Sequence, residues 1–117
     1  MLYASKTAAE KRQDFRKALE SGKLQRFPGA INPLSAMMIE KKGFEGVYIS
    51  GAVLSADLGL PDIGLTTLTE VAQRGQQITR MSNLPSIIDV DTGFGVAMNM
   101  ARSIQTLEDA GITACHL

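Results

Sequence analysis

Cysteine is nearly missing from this sequence: Cys115 is the only one in 117 residues. No internal disulfide can form, which suits a reducing compartment and makes the cytoplasm the expected location. Charge of one sign is missing too. Twelve Lys and Arg stand against twelve Asp and Glu, so no net field recruits nucleic acid or an anionic membrane, and neither is expected as a partner. No apolar run is long enough to cross a bilayer. The opening "MLYASKTAAEKRQDFRKALESG" lacks a secretory apolar core, and its mixture of Arg, Ser and acids is a poor transit peptide. The glycines form no dinucleotide or P-loop fingerprint, and there is no low-complexity segment or linker. One further shortage is local. Between Arg80 and Arg102 there is no Lys, Arg or His, yet this stretch carries Asp89 and Asp91.

What is present reads as one soluble globular unit over residues 1–117, at 44% hydrophobic and 21% charged. Thr7 and Glu10 have capping-box spacing before a helix with Phe15 and Leu19 on one face, ending near Gly22. "LQRFPGA" reads as a first strand. Asn32-Pro33 opens a second helix that runs to Gly43. "FEGVYIS" is a second strand, followed by about 16 residues from Gly51 without periodicity, where two to six would be usual. Thr67 and Glu70 cap a helix whose Leu68, Val71, Ala72 and Ile78 share a face. "LPSIIDVD" is a third strand. Ala97, Met100, Ile104 and Leu107 mark another helix, closed by Gly111, and "ITACHL" begins a fourth strand. Strands alternating with helices predict parallel βαβ units. A fourth strand with no helix after it makes the chain read as the front half of a longer protein; the alternative is a small four-stranded open sheet.

Strand alternation turns Asp89 and Asp91 to one face, with Ile87, at the C-terminal end where α/β proteins place their chemistry. Two carboxylates half-removed from water need a counter-charge. A divalent cation such as Mg²⁺ would supply it. A distant Arg or Lys, or capping of the helix after Gly95, would also serve. Tyr48 and Ser50 share a face and project toward the same end of the sheet as the aspartates, and Gly51 leaves backbone N–H groups open to a ligand carboxylate. A locally satisfied tyrosine and a plain turn glycine would explain them equally. Asp62 lies in the long connection, as a loop ligand or a turn former, and Asp57 reads as a turn aspartate. Cys115 and His116 are adjacent in a strand, so they face opposite ways and form no dyad. Met37, Met38, Met98 and Met100 read as core filler.

"YISGA", "LGLPDIGLTTLTEV", "PSIIDVDTGFG" and a strand ending in His116, in that order, resemble the isocitrate lyase/phosphoenolpyruvate mutase superfamily, and within it the 2-methylisocitrate lyases, over about Phe15 to Leu117. The resemblance implies a (β/α)8 TIM barrel preceded by an N-terminal helix, of which this chain would hold the first half. It implies Mg²⁺ at Asp89 and Asp91, a substrate carboxylate at Ser50, Gly51 and Ala52, and catalytic roles for Tyr48 and Asp62. Ala52 stands where the lyases often have a second glycine. The activity implied is cleavage of a small hydroxy-carboxylate, 2-methylisocitrate, to pyruvate and succinate by a cytoplasmic homo-oligomer, a tetramer in the family. The family's catalytic acid is a cysteine on a mobile loop that follows the position of His116, and Cys115 does not match it; residues 1–117 alone are expected to be inactive. Phe94, where mutases and hydrolases tend to have tyrosine, leans toward a lyase. The short connection between the second and third strands disfavours isocitrate lyase proper. A 2,3-dimethylmalate lyase, an oxaloacetate hydrolase, a phosphonate mutase and a non-catalytic Mg²⁺-binding module are the alternatives.

Overall fold

Side-chain caps set the helix starts. Thr7 Oγ1 accepts from the Glu10 amide (3.2 Å) while Glu10 accepts from the Thr7 amide (2.7 Å), and Thr67 and Glu70 repeat the exchange. Asn32 Oδ1 accepts from the Ser35 amide at 2.9 Å, with Pro33 first in its helix. The computed structural model, which describes residues 2–117, runs α1 (Ala8–Glu20), α2 (Pro33–Lys41), β1 (Val47–Ile49), α3 (Gly51–Asp57), α4 (Leu68–Thr79), β2 (Ser86–Asp89), α5 (Ala97–Asp109) and β3 (Ala114–His116).

The three strands are parallel in the order β1-β2-β3. Tyr48 pairs with Ile87 and Ile87 with Ala114; Asp89 pairs with His116. One face of the sheet is buried: Val47, Ile49, Ile88 and Val90 join Leu54, Val71, Ile78 and Leu107 in the core beneath the helices. The other face, with Tyr48, Ile87 and Asp89, is only half-buried. α4 packs against α2, α3 and α5. Gly75 lets it lie close to the sheet, because a Cβ there would stand 2.8 Å from Ile112 Cδ1 and 3.0 Å from Ile88 Cδ1. α1 is tied down by polar links. Lys11, 4% exposed, donates to the Thr79 carbonyl at the end of α4, and Arg12 donates to the Ile112 and Glu108 carbonyls.

Five expectations change. The first predicted strand is a single bridge, Gly29 to Tyr48. The Arg26 and Pro28 carbonyls accept from Gly46 and Tyr48, and Ala30 donates to Tyr48, but Pro28 has no N–H with which to continue the ladder. The long connection is not structureless. It contains α3, whose seven residues are too few to show a period, and Asp57 ends that helix in an ion pair with Arg74 at 2.7 Å instead of making a turn. Met37, Met38 and Met98 lie at the surface, Met98 at 79% exposure, so they are not core filler. α5 buries Ser103 and Leu107, leaving Ala97 and Ile104 in solvent.

Candidate active site

β1 delivers Tyr48 to the half-buried face and hands over to Ser50, which caps α3 by accepting from the Val53 amide at 3.4 Å. The register of β1 against β2 sets this cap beside the end of β2. The contact there is close: a Cβ on Gly51 would lie 3.0 Å from Asp89 Oδ2. The expected carboxylate-binding segment and the first expected metal ligand are therefore neighbours. Ala52 is exposed beside them.

Asp91 arrives by a different route from the one expected. β2 ends at Asp89, and Asp91 has φ 47°, so strand alternation does not reach it. A turn reaches it instead. The Asp91 amide donates to Asp89 Oδ1 at 3.1 Å, and the Gly93 amide donates to the Val90 carbonyl at 2.8 Å. Phe94 at φ 62°, Gly93 at 94° and Gly95 at 145° complete an unusually left-handed stretch. Side chains at 93 and 95 would strike Met100 and Asn99 at 2.2 and 2.6 Å, so only glycine fits. Strained backbone of this kind concentrates where a site over-determines it.

The electrostatics follow from the clustering. Burial raises the Asp91 carboxyl above its ordinary value, and the charges of Asp89 and then Asp62 raise it further. Asp62, in the exposed Pro61–Gly64 turn, thus lies within electrostatic reach of the pair. Two of the three explanations for uncompensated aspartates now fall away. The ion pairs among the described residues are Lys6–Asp14, Arg12–Glu108, Arg26–Glu45 and Arg74–Asp57, and none touches Asp62, Asp89 or Asp91. The helix after Gly95 is capped by Asn99, whose Oδ1 accepts from the Val96 amide at 3.1 Å, and not by an aspartate.

Asp89 and Asp91 are the side chains here whose chemistry fits a hard divalent cation such as Mg²⁺. Both are carboxylates, but among the described residues no group of three or more His, Cys, Asp or Glu side chains is placed to hold a metal ion. Mg²⁺ takes one or two carboxylates and keeps several waters, whereas a structural zinc site needs a closed set of ligands.

Sequence reasoning missed one member of this face. Tyr48 Oη lies 3.2 Å from His116 Nδ1, with the rings 6.4 Å apart at 53°. Burial raises the phenol above its ordinary value, and the Asp89 charge adds to that. Strand register held the signal, since His116 is the β3 partner of Asp89. Cys115 pairs with Ile88, on the opposite face, as alternation required.

Residues 15–117 match the family model described as phosphoenolpyruvate phosphomutase. The chain is 56% identical to "Probable 2-methylisocitrate lyase 2" of Corynebacterium glutamicum, across 99% of its own length and 38% of that relative's. Among solved structures, a phosphonopyruvate hydrolase in complex with oxalate and Mg²⁺ superposes with TM-score 0.87 at 37% identity, covering 90% of this chain and 37% of the hydrolase. A 2,3-dimethylmalate lyase, described as a member of the PEP mutase/isocitrate lyase superfamily, superposes at TM-score 0.85 and 30% identity, covering 97% of this chain and 40% of that one. These neighbours are TIM barrels, and this chain has the architecture of part of one.

Proposed function

Because the chain belongs to the phosphoenolpyruvate phosphomutase family, we propose that it supplies the metal-binding and proton-handling side of a Mg²⁺-dependent carbon–carbon lyase acting on 2-methylisocitrate. The observation that carries this reading is the pair of Asp89 at the end of β2 and Asp91 in the turn after it, with Asp62 of a nearby loop within electrostatic reach and no cationic side chain among the described residues paired to any of the three. The chain spans only 38% of its Corynebacterium relative, so the activity is proposed for a protein with a completed barrel.

Asp89 and Asp91 would hold the cation, with Asp62 adding negative potential from its turn. Bound Mg²⁺ would polarise the substrate's hydroxy-carboxylate and lower its hydroxyl pKa. The Ser50–Ala52 segment would receive a substrate carboxylate. Since Gly51 lies against Asp89, that carboxylate is tolerable there only with positive charge between the two anions. Tyr48 and His116 form a hydrogen-bonded pair able to take up the hydroxyl proton. The phenol is held protonated by burial and by Asp89, so it would pass its own proton to His116 as it accepts one. The carbon–carbon bond then breaks to give pyruvate, and its electron pair goes to the carboxylate-stabilised carbon that becomes succinate once protonated.

A lyase is preferred to the hydrolase and mutase readings because the Corynebacterium relative, named as a lyase, is 56% identical over almost the whole chain, against 37% for the phosphonopyruvate hydrolase. The test is Asp89→Ala combined with Asp91→Ala in a protein with the complete barrel, with pyruvate release followed through lactate dehydrogenase. We expect Mg²⁺-dependent turnover to vanish while the circular dichroism of the fold persists. Unchanged turnover by the double variant would remove the assignment.

A further inference from the structure

The turn that carries Asp91 is strained, and the proposed function does not explain what holds it. Four of the five residues from Asp91 to Gly95 have positive φ. Two are not glycine, and a bulky Phe94 at φ 62° is an unfavourable backbone conformation. Such a turn relaxes unless something outside it pins it. The two backbone hydrogen bonds at its start, Asp91 to Asp89 and Gly93 to Val90, are local. The polar contact that reaches in from elsewhere is Ser103. This residue is 1% exposed on the inner side of α5, and its Oγ lies 2.8 Å from the Gly93 carbonyl and 2.9 Å from that of Asn99. The Asn99 contact is the ordinary back-bond of a helical serine. The Gly93 contact is not; it crosses from the helix to the turn, in a spot where Met100 crowds out any side chain at 93.

We propose that Ser103 is a positioning residue: its buried hydroxyl pins the Gly93 carbonyl and thereby fixes the Asp91–Gly95 turn in the shape that presents the Asp91 carboxylate beside Asp89. Without the hydroxyl, the Gly93 carbonyl loses its buried donor and the turn is free to relax toward right-handed φ at Asp91 and Phe94. Asp91 would then leave Asp89. Outer partners of this kind commonly govern metal affinity about 10–100-fold when removed. The consequence for metal rests on the reading of Asp89 and Asp91 as cation ligands; the pinning of the turn does not.

The test, made in the protein with the complete barrel, uses Ser103→Ala, which deletes one oxygen at a helical position that favours alanine, with Ser103→Thr as the variant that keeps a hydroxyl. Leu107→Ala is the control: it lies one turn on in α5, is buried, and removes apolar packing but no hydrogen bond to Gly93. Hydrogen exchange at the Gly93 amide reads the turn directly, and Mn²⁺ titration by calorimetry reads the carboxylate pair. In Ser103→Ala we expect Gly93 exchange to rise at least tenfold and Mn²⁺ affinity to fall about tenfold. Ser103→Thr should recover both, and Leu107→Ala, compared at equal global stability, should move neither. Unchanged exchange at Gly93 in Ser103→Ala, or equal effects from Leu107→Ala, would overturn the proposal. If the wild-type chain and Asp89→Asn bind Mn²⁺ equally poorly, the metal reading fails, and Gly93 exchange still decides whether Ser103 pins the turn.

Discussion

Gly51 is where a single hydrogen atom decides the most. The close approach of Asp89 to residue 51 has nothing to do with backbone freedom; it is a matter of volume. An alanine there would bring a Cβ to 3.0 Å from Asp89 Oδ2, tighter than an ordinary contact, so the carboxylate would have to give way slightly. As the first residue of α3, alanine would otherwise suit position 51, since it is better than glycine by about 1 kcal/mol in a helix. Gly51→Ala should therefore leave the melting temperature unchanged or slightly raised while Mn²⁺ affinity drops; an unchanged affinity with a lowered melting temperature would reverse that reading. A second residue-level expectation concerns acid. Glu45 makes hydrogen bonds to the Arg26 side chain and backbone that lower its carboxyl from 4.5 to about 2. A carboxyl lowered on folding stabilises the fold above its unfolded value. That contribution is present above pH 4.5 and disappears as pH falls toward 2. The pair is well exposed, so the effect should be small. In Arg26→Gln the Glu45 titration followed by NMR should move back toward 4.5, and a midpoint still near 2 would show that Arg26 is not the cause.

At the scale of elements, the sequence was legible wherever one physical cause acted locally. Thr7–Glu10, Asn32–Pro33 and Thr67–Glu70 start helices because side chains three residues apart satisfy free amides. Val71, Ala72 and Ile78 could be assigned to the core because one helix face had to cover the sheet. What was not legible depended on partners far along the chain or on short spans. Pro28 weakens the first strand by withholding one donor, and α3 is too short to declare a period. The site was half legible. Asp89 followed from its place at a strand end, but Asp91 owes its position to a turn that alternation cannot describe. His116 became visible only through its register with Asp89. Gly75 shows the same dependence on tertiary context: in sequence it is a weak point in α4, and in the structure it is the gap that admits Ile88 and Ile112. Gly75→Val should force α4 off the sheet and cost about 1–3 kcal/mol, read as a lower denaturation midpoint at unchanged slope. A stability equal to wild type would mean that the two isoleucines repack freely.

For the molecule as a whole, the decisive fact is an open sheet. Among the described residues β3 has no strand on its outer side, the Arg26–Ala30 segment none on its own, and the face bearing Tyr48, Ile87 and Ala114 is only half-covered. Unpaired edges and half-covered apolar faces recruit further chain. A TIM barrel closes eight strands, and its active site draws on the ends of several of them. On the proposed reading the groups present here would bind a cation and move a proton, but they line one side of the site. Catalysis also needs water excluded and an acid delivered to the carbanion. Losing a general acid typically lowers the rate about 10²–10⁴-fold, and losing the opposing substrate contacts adds to that by spoiling the approach geometry. Residues 1–117 alone should therefore scatter light as associated species and release no measurable pyruvate from 2-methylisocitrate. Mixing them, during refolding, with the part of the Corynebacterium relative that lies beyond the 38% matched here should give a species of defined size and restore Mg²⁺-dependent turnover in the lactate dehydrogenase assay. The same mixture made with Asp89→Ala should gain the defined size but not the activity, which separates barrel closure from chemistry. Brisk turnover by residues 1–117 without the complement would mean that the open face carries a complete site, and that Asp89, Asp91, Tyr48 and His116 are enough to do the chemistry.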